Sequence, residues 1–167
     1  MNLKTKSLFI LLLVLGLIVL GYFLIPKLFK SSEPVENSIA VLPFEDISSN
    51  PENTYLIDGI MEAILYNLQT IKDLKVLSRT SVEPYRNTTK PISKIAKELR
   101  IKYVLEGSTE KIGNIIIVRV QLIDAKSNYR LWGGSFQKEI LDGSKLVTVQ
   151  TQIAQDIASR IKVEIAP

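Results

Sequence analysis

The chain contains no histidine and no cysteine in 167 residues. Those two absences exclude Ser-His-Asp and Cys-His catalysis, histidine-ligated metals and thiolate zinc sites. They also exclude a disulfide, which leaves the compartment open, because a disulfide-free fold suits either side of a membrane. Glycine is sparse at eight residues, and no Gly-x-Gly-x-x-Gly or Walker-type loop is present to cradle a phosphate. Gly133-Gly134 stands inside a strand-like segment and reads as a bulge or a sheet edge. What remains for chemistry is carboxylates, lysines, hydroxyls and backbone, so no enzyme activity, cofactor or metal is expected.

Positive charge is concentrated rather than spread. Lys plus Arg total 21 and Asp plus Glu 17, a formal +4. Lys4, Lys6, Lys27 and Lys30 flank one apolar run, leaving 17 bases against 17 acids elsewhere. The basicity therefore belongs to that run and is no sign of nucleic-acid binding.

The run itself, Ser7 to Ile25, holds no charge. As a helix it would span roughly 28 Å, close to a hydrocarbon core. Its apolar core is Leu8, Phe9, Ile10, Leu11, Leu12, Leu13, Val14, Leu15, Leu17, Ile18, Val19, Leu20, Phe23, Leu24 and Ile25. A secretory signal has a shorter core followed by small residues at a cleavage site. Here Tyr22, Phe23, Pro26 and Lys27 follow, with no Ala-x-Ala pattern and no cysteine to carry a lipid. An uncleaved anchor is the expectation, with a cleaved export signal as the alternative. Lys4, Lys6 and the terminal amine oppose Lys27 and Lys30, a thin bias towards an inside amino terminus. The chain is thus expected to be a single-pass inner-membrane protein with residues 31–167 outside, in the periplasm of a diderm bacterium. Residues 1–30 form basic head and anchor, 31–37 a linker, and 38–167 one α/β domain.

Within the domain, Ile39 to Phe44 reads as a buried strand stopped by Pro43. Ile57, Ile60, Met61, Ile64, Leu65, Leu68 and Ile71 recur at helical spacing, with Asp58 and Glu62 placed in the first turns. Leu74 to Leu77 is a short strand leaving through Ser78-Arg79-Thr80-Ser81. After Pro91, the stripe Ile92, Ile95, Ala96 and Leu99 predicts a second helix. Strands follow at Tyr103–Glu110, Ile115–Asp124 (after the Gly113-Asn114 turn) and from Tyr129 to near Phe136. Leu146, Val149, Ile153, Ile157 and Ile161 mark a last amphipathic helix. The order β-α-β-α-β-β-β-α predicts a single mixed sheet with helices packed on it.

Three residues stand out as contacts for a ligand or partner. Arg79 follows a strand end, where open α/β sheets place clefts, and suits either an anion or a structural salt bridge. Asp58 is read as a helix-start residue near the dipole's positive end, with a ligand role as the alternative. Trp132, the only tryptophan, reads as core packing or, if exposed, as an interface anchor. The loop acids Glu45, Asp46 and Glu52, with Asn50 and Asn53, could coordinate a hard cation such as calcium, but they match no EF-hand spacing and read better as a solvated loop.

Residues 38 to about 162 resemble the TolB amino-terminal-like domain family. The resemblance rests on Ser38-Ile39-Ala40-Val41-Leu42-Pro43-Phe44, Tyr55 to Ile60, Val76 to Ser81, Tyr103 to Ser108, Val120 to Ala125 and Leu131-Trp132, six stretches in the family's order. It implies a compact α/β module, commonly placed after a membrane helix and often followed by tetratricopeptide repeats. Its relatives frequently sit behind a nucleotide-cyclase or DNA-binding domain as sensory or scaffolding parts. The chain is accordingly read either as a minimal member or as a piece of a longer product. The expected function is a non-enzymatic, membrane-anchored envelope domain mediating protein–protein interaction. The alternative is a regulatory module holding a small ligand near Arg79 and Asp58. Expected partners are the bilayer through residues 7–25, an envelope protein and, across an exposed sheet edge, another copy of the chain.

Overall fold

Alternation of apolar and polar residues over Ile115–Asp124 sends Ile116, Val118, Val120 and Leu122 to one side of the sheet, and all four are buried. Their cover is provided by the two long amphipathic helices that the sequence predicts. A computed structural model describes residues 12–22, 33–48, 53–140 and 143–165. In chain order the elements are helical residues 12–22 (α1), β1 (Val35–Val41), β2 (Glu45–Asp46), α2 (Thr54–Gln69), β3 (Lys75–Val76), α3 (Arg79–Val82), α4 (Ile92–Leu99), β4 (Ile101–Ile112), β5 (Ile115–Asp124), β6 (Tyr129–Glu139) and α5 (Leu146–Glu164).

The chain divides into two units, residues 1–33 and 34–167. In the first, α1 is helical and its apolar side chains are exposed. Eleven helical residues rise only about 16 Å, and among the described residues no helix is long and apolar enough to cross a membrane. The other parts of the expected anchor, residues 7–11 and 23–25, lie outside the described residues.

The second unit is one mixed sheet in the order β3-β1-β4-β5-β6, with β2 pairing β4 off that path. β3, β1 and β4 run parallel, and β4, β5 and β6 form an antiparallel meander. α2 and α5 lie on one face. Ile57, Ile60, Met61, Ile64, Leu65 and Leu68 from α2 meet Val149, Ile153, Ile157 and Ile161 from α5 over the sheet's apolar side. On the other face α4 covers only the parallel end, packing Ile95 and Ala96 against Ala40, Leu42, Ile101 and Val104.

The structure corrects three boundaries. The expected linker gives up Val35–Asn37 to β1, because the Val35 N–H donates to the Arg100 carbonyl (2.9 Å) and Asn37 takes φ 52° at a register shift. α2 starts at Thr54, so Asp58 sits in its second turn rather than at the helix start. A one-turn helix, α3, and a 3-10 turn at Glu83–Tyr85 occupy the segment after β3.

Candidate functional site

Asp58 and Arg79, far apart in sequence, come together where the parallel strands end. An Arg79 nitrogen lies 2.6 Å from Asp58 and another 2.9 Å from Glu62. Arg86 reaches the other Asp58 oxygen at 3.3 Å and Glu83 at 2.5 Å, and Glu83 is also 3.8 Å from Arg79. Two guanidinium groups and three carboxylates thus tie α2 to the 79–86 segment. Both arginine side chains are 29 % exposed. Hydrogen bonds to Glu62 and then Asp58 raise Arg79 above its usual value. Arg86, through its side-chain hydrogen bond, holds Glu83 below the usual carboxylate range. Arg79 thus makes salt bridges inside the protomer, the arrangement that the structural one of its two readings describes. Arg86 escaped the sequence reading, although Arg79, Glu83 and Arg86 stand at the i, i+4 and i+3 spacings that pair on a helix.

A pH dependence follows from the sign of the Glu83 shift. A carboxylate whose folded pKa is depressed adds stability above its unfolded value, near 4.3, and loses it as pH falls further. Thermal unfolding between pH 7 and pH 3 is expected to show a steeper acid loss in the wild type than in Glu83→Gln. Equal slopes would remove Glu83 from the network's energetics. The difference is small, since Glu83 is 44 % exposed.

Trp132 is not part of this cluster. It stands half-buried on β6 towards α5, lies against Gly134 and meets Phe136 at a ring-centroid distance of 6.1 Å. It packs against the core from a half-buried position, and the Gly133-Gly134 pair lies in an end strand two residues after a register shift. Of the loop acids, Asp46 accepts the Ser48 N–H (2.8 Å), while Asn50 and Glu52 lie outside the described residues. No metal-holding cluster occurs among the described residues.

The second feature is an open groove of about 900 Å³ on the sheet face that α4 leaves bare. Register places Glu106, Gln121 and Gly133 in one row across β4, β5 and β6, and Ser108, Arg119 and Ser135 in the next. These six residues form the floor. Tyr85, the 87–90 segment, Ile92 and Ile95 form the wall. Charges in the groove are largely matched. The Gln121 amide donates to Glu106, Arg119 donates to Glu110 (2.9 Å), and Lys90 donates to Glu98 (2.9 Å) while lying 5.3 Å above the Tyr85 ring. Tyr85 donates its hydroxyl to Glu98 as well (2.8 Å). The ion cluster fixes Glu83 and Arg86, the residues that flank Tyr85 and lead into this wall. No sequence pattern announces the groove, because its floor needs three strands in register.

Residues 35–156 match the HilA/YgeH-like transcriptional regulator, second domain. A protein of Rhizobium meliloti (strain 1021) named "Putative adenylate cyclase 3" is 35% identical over 132 residues, 79% of this chain. The chain spans only 22% of that relative's length. TolB from Acinetobacter baumannii superposes with TM-score 0.54 at 14% identity, covering 80% of this chain and 28% of that one. Lipoprotein GNA1162 from Neisseria meningitidis gives 0.53 at 18%, covering 73% and 96%. A PelC dodecamer from Paraburkholderia phytofirmans gives 0.52 at 17%, covering 76% and 90%. At such identities the likeness is one of fold, and it bears out the TolB-like architecture that the motifs implied. By the match over residues 35–156, this chain belongs to the HilA/YgeH-like transcriptional regulator second-domain family.

Proposed function

We propose that this is a non-enzymatic interaction domain that receives a protein partner on its bare sheet face, held at a membrane by the apolar run at residues 7–25. The observation that carries the reading is the groove over β4, β5 and β6. Three strands and a braced wall build a wide, half-polar surface in which Lys90, Glu106 and Arg119 are already hydrogen-bonded within the protein, which suits recognition better than proton transfer or nucleophilic attack. The comparisons support a module without an activity of its own. Its family is named for transcriptional regulators and its curated relative for a cyclase, two different outputs around one kind of domain. The resemblance to the TolB amino-terminal-like family agrees with this scaffolding or signalling role. With an inside amino terminus, the domain would meet an envelope protein outside the cytoplasm.

A photo-crosslinking amino acid at Gln121, on the groove floor, tests the reading in membranes of the native host. It is expected to give a discrete protein adduct that the same probe at Tyr66, exposed on α2, does not give. Adducts from Tyr66 and none from Gln121 would move the interface off the sheet face, and no adduct from either would count against a protein partner.

The groove's size also falls in the range of small-molecule sites, which keeps a regulatory ligand as the second reading. A metabolite that raises the melting temperature of the wild type but not of Arg119→Ala, with no adduct at Gln121, would favour it.

A further inference from the structure

We propose that β6 pairs with β6 of a second copy of this chain, antiparallel, about a two-fold axis at Ser135. β6 is the last strand in the sheet order, so one of its hydrogen-bonding edges has no strand partner among the described residues. At eleven residues it is long for an open edge, and an edge of that length invites a further strand unless its side chains forbid one. Edge strands are commonly protected by charges that would repel an incoming copy. Here the charges do the opposite.

Arg130 and Glu139 stand at the two ends of β6. Neither has an ion-pair partner among the described residues, and both are exposed. Ladder pairing fixes their positions. Ser135 lies opposite Arg119, Glu139 opposite Ile115 and Arg130 opposite Ile123, with the register shift between Leu122 and Ile123 absorbing Leu131 as the extra residue. Counted along β5, Arg130 and Glu139 are therefore equally far from Ser135 and on the same sheet face, the face away from α5. A two-fold axis at Ser135 sets Arg130 of each copy against Glu139 of the other, twice per dimer. Shifting the axis to Gly134 or Phe136 keeps the faces matched but sends both charges past a partner, and a one-residue slip would turn the apolar side of β6 to solvent.

The opposite face agrees with that register. It brings Gly134 of one copy, already covered by its own Trp132 and Phe136, beside Phe136 of the other. It also brings Trp132 beside Lys138, an indole against an ammonium group that lies only 3.8 Å from Asp156 within its own copy. The joined sheet would place two grooves side by side on one continuous surface. Ser135 and Arg130 also border the groove, but the inference rests on the open edge of β6 and needs no partner in the groove.

The absence of native cysteine makes the test direct. In the full chain, purified in detergent and oxidised mildly, Ser135→Cys is expected to give a disulfide-linked dimer, because a residue on the axis faces its own copy across one ladder spacing. Ser108→Cys, on the same sheet face but on β4, serves as the collision control and is expected to stay monomeric. In the Ser135→Cys background, Arg130→Glu is expected to cut the dimer yield about tenfold. Adding Glu139→Arg restores it, since the swap regenerates both pairs. Both substituted positions are exposed, and an unchanged melting temperature confirms that each variant is folded. Equal crosslinking at Ser108 and Ser135, no crosslinking at Ser135, or no recovery in the double swap would each overturn the proposal.

Discussion

Replacing Gly107 with alanine is expected to cost about 3 kcal/mol, the upper end of the usual range for overpacking, and to lower the melting temperature by roughly 10 °C. Gly107 lies in β4 opposite Val120. A Cβ built there would stand 2.4 Å from the Arg119 carbonyl oxygen, 3.0 Å from Val120 Cγ1 and 3.3 Å from Phe44 Cε1. The nearest obstacle is backbone in the adjacent strand, which cannot rotate away as a side chain can. Relief requires β4 and β5 to part, and that would strain the long ladder from Tyr103–Asp124 to Ile112–Ile115. Because Gly107 also borders the groove, the groove floor should distort with it. Thermal unfolding of Gly107→Ala checks the effect, and a loss under about 1 kcal/mol would show that the strands yield more easily than this packing allows.

The second large effect concerns a side-chain obstacle and should therefore reverse with its background. Gly59 sits inside α2, where glycine is normally about 1 kcal/mol worse than alanine. Here a Cβ would lie 2.1 Å from Gln150 Nε2 and 2.7 Å from its Cδ. Gln150 comes from α5, is buried, and donates to the Leu56 carbonyl at 3.2 Å. The missing side chain at Gly59 is the space that lets this amide cross between the helices. Gly59→Ala is expected to destabilise by about 1–2 kcal/mol, since displacing a buried, bonded amide outweighs the gain in helix propensity. In a Gln150→Ala background the same substitution should stabilise by about 1 kcal/mol, because only the propensity term remains. A double-mutant cycle of denaturation curves reads this directly, and the same sign in both backgrounds would refute the packing explanation.

Much of the fold could be read from short, strongly patterned stretches. β5 runs from Ile115 to Asp124 as its alternation predicts, and the α2 stripe from Ile57 to Leu68 is buried as its spacing predicts. Polar strand residues misled the reading: Val35, Glu36 and Asn37 look like linker until β4 supplies partners for Val35 and Glu36. α3 is only four residues long, too brief for any periodicity to register. The candidate site divides in the same way. Asp58 and Arg79 stood out singly, but their pairing depends on two segments meeting at the strand ends, and Arg86 joins only through that meeting. The groove was illegible, because a floor made from three strands and a wall made from a loop have no local signature.

The parallel placement of β1 between β3 and β4 also dictates an order of assembly. Val35 lies opposite Ile101 and Val41 opposite Leu105, so β1 is synthesised long before the strand that completes it. By contrast, β4, β5 and β6 close through two tight turns and need only their own neighbours. Contacts this remote in sequence carry the larger loop-closure cost, while the meander can form early. The strand that opens the domain is therefore among the last to be fully enclosed, and a growing chain cannot pair Ile39-Ala40-Val41 on its β4 side until residues beyond 100 exist.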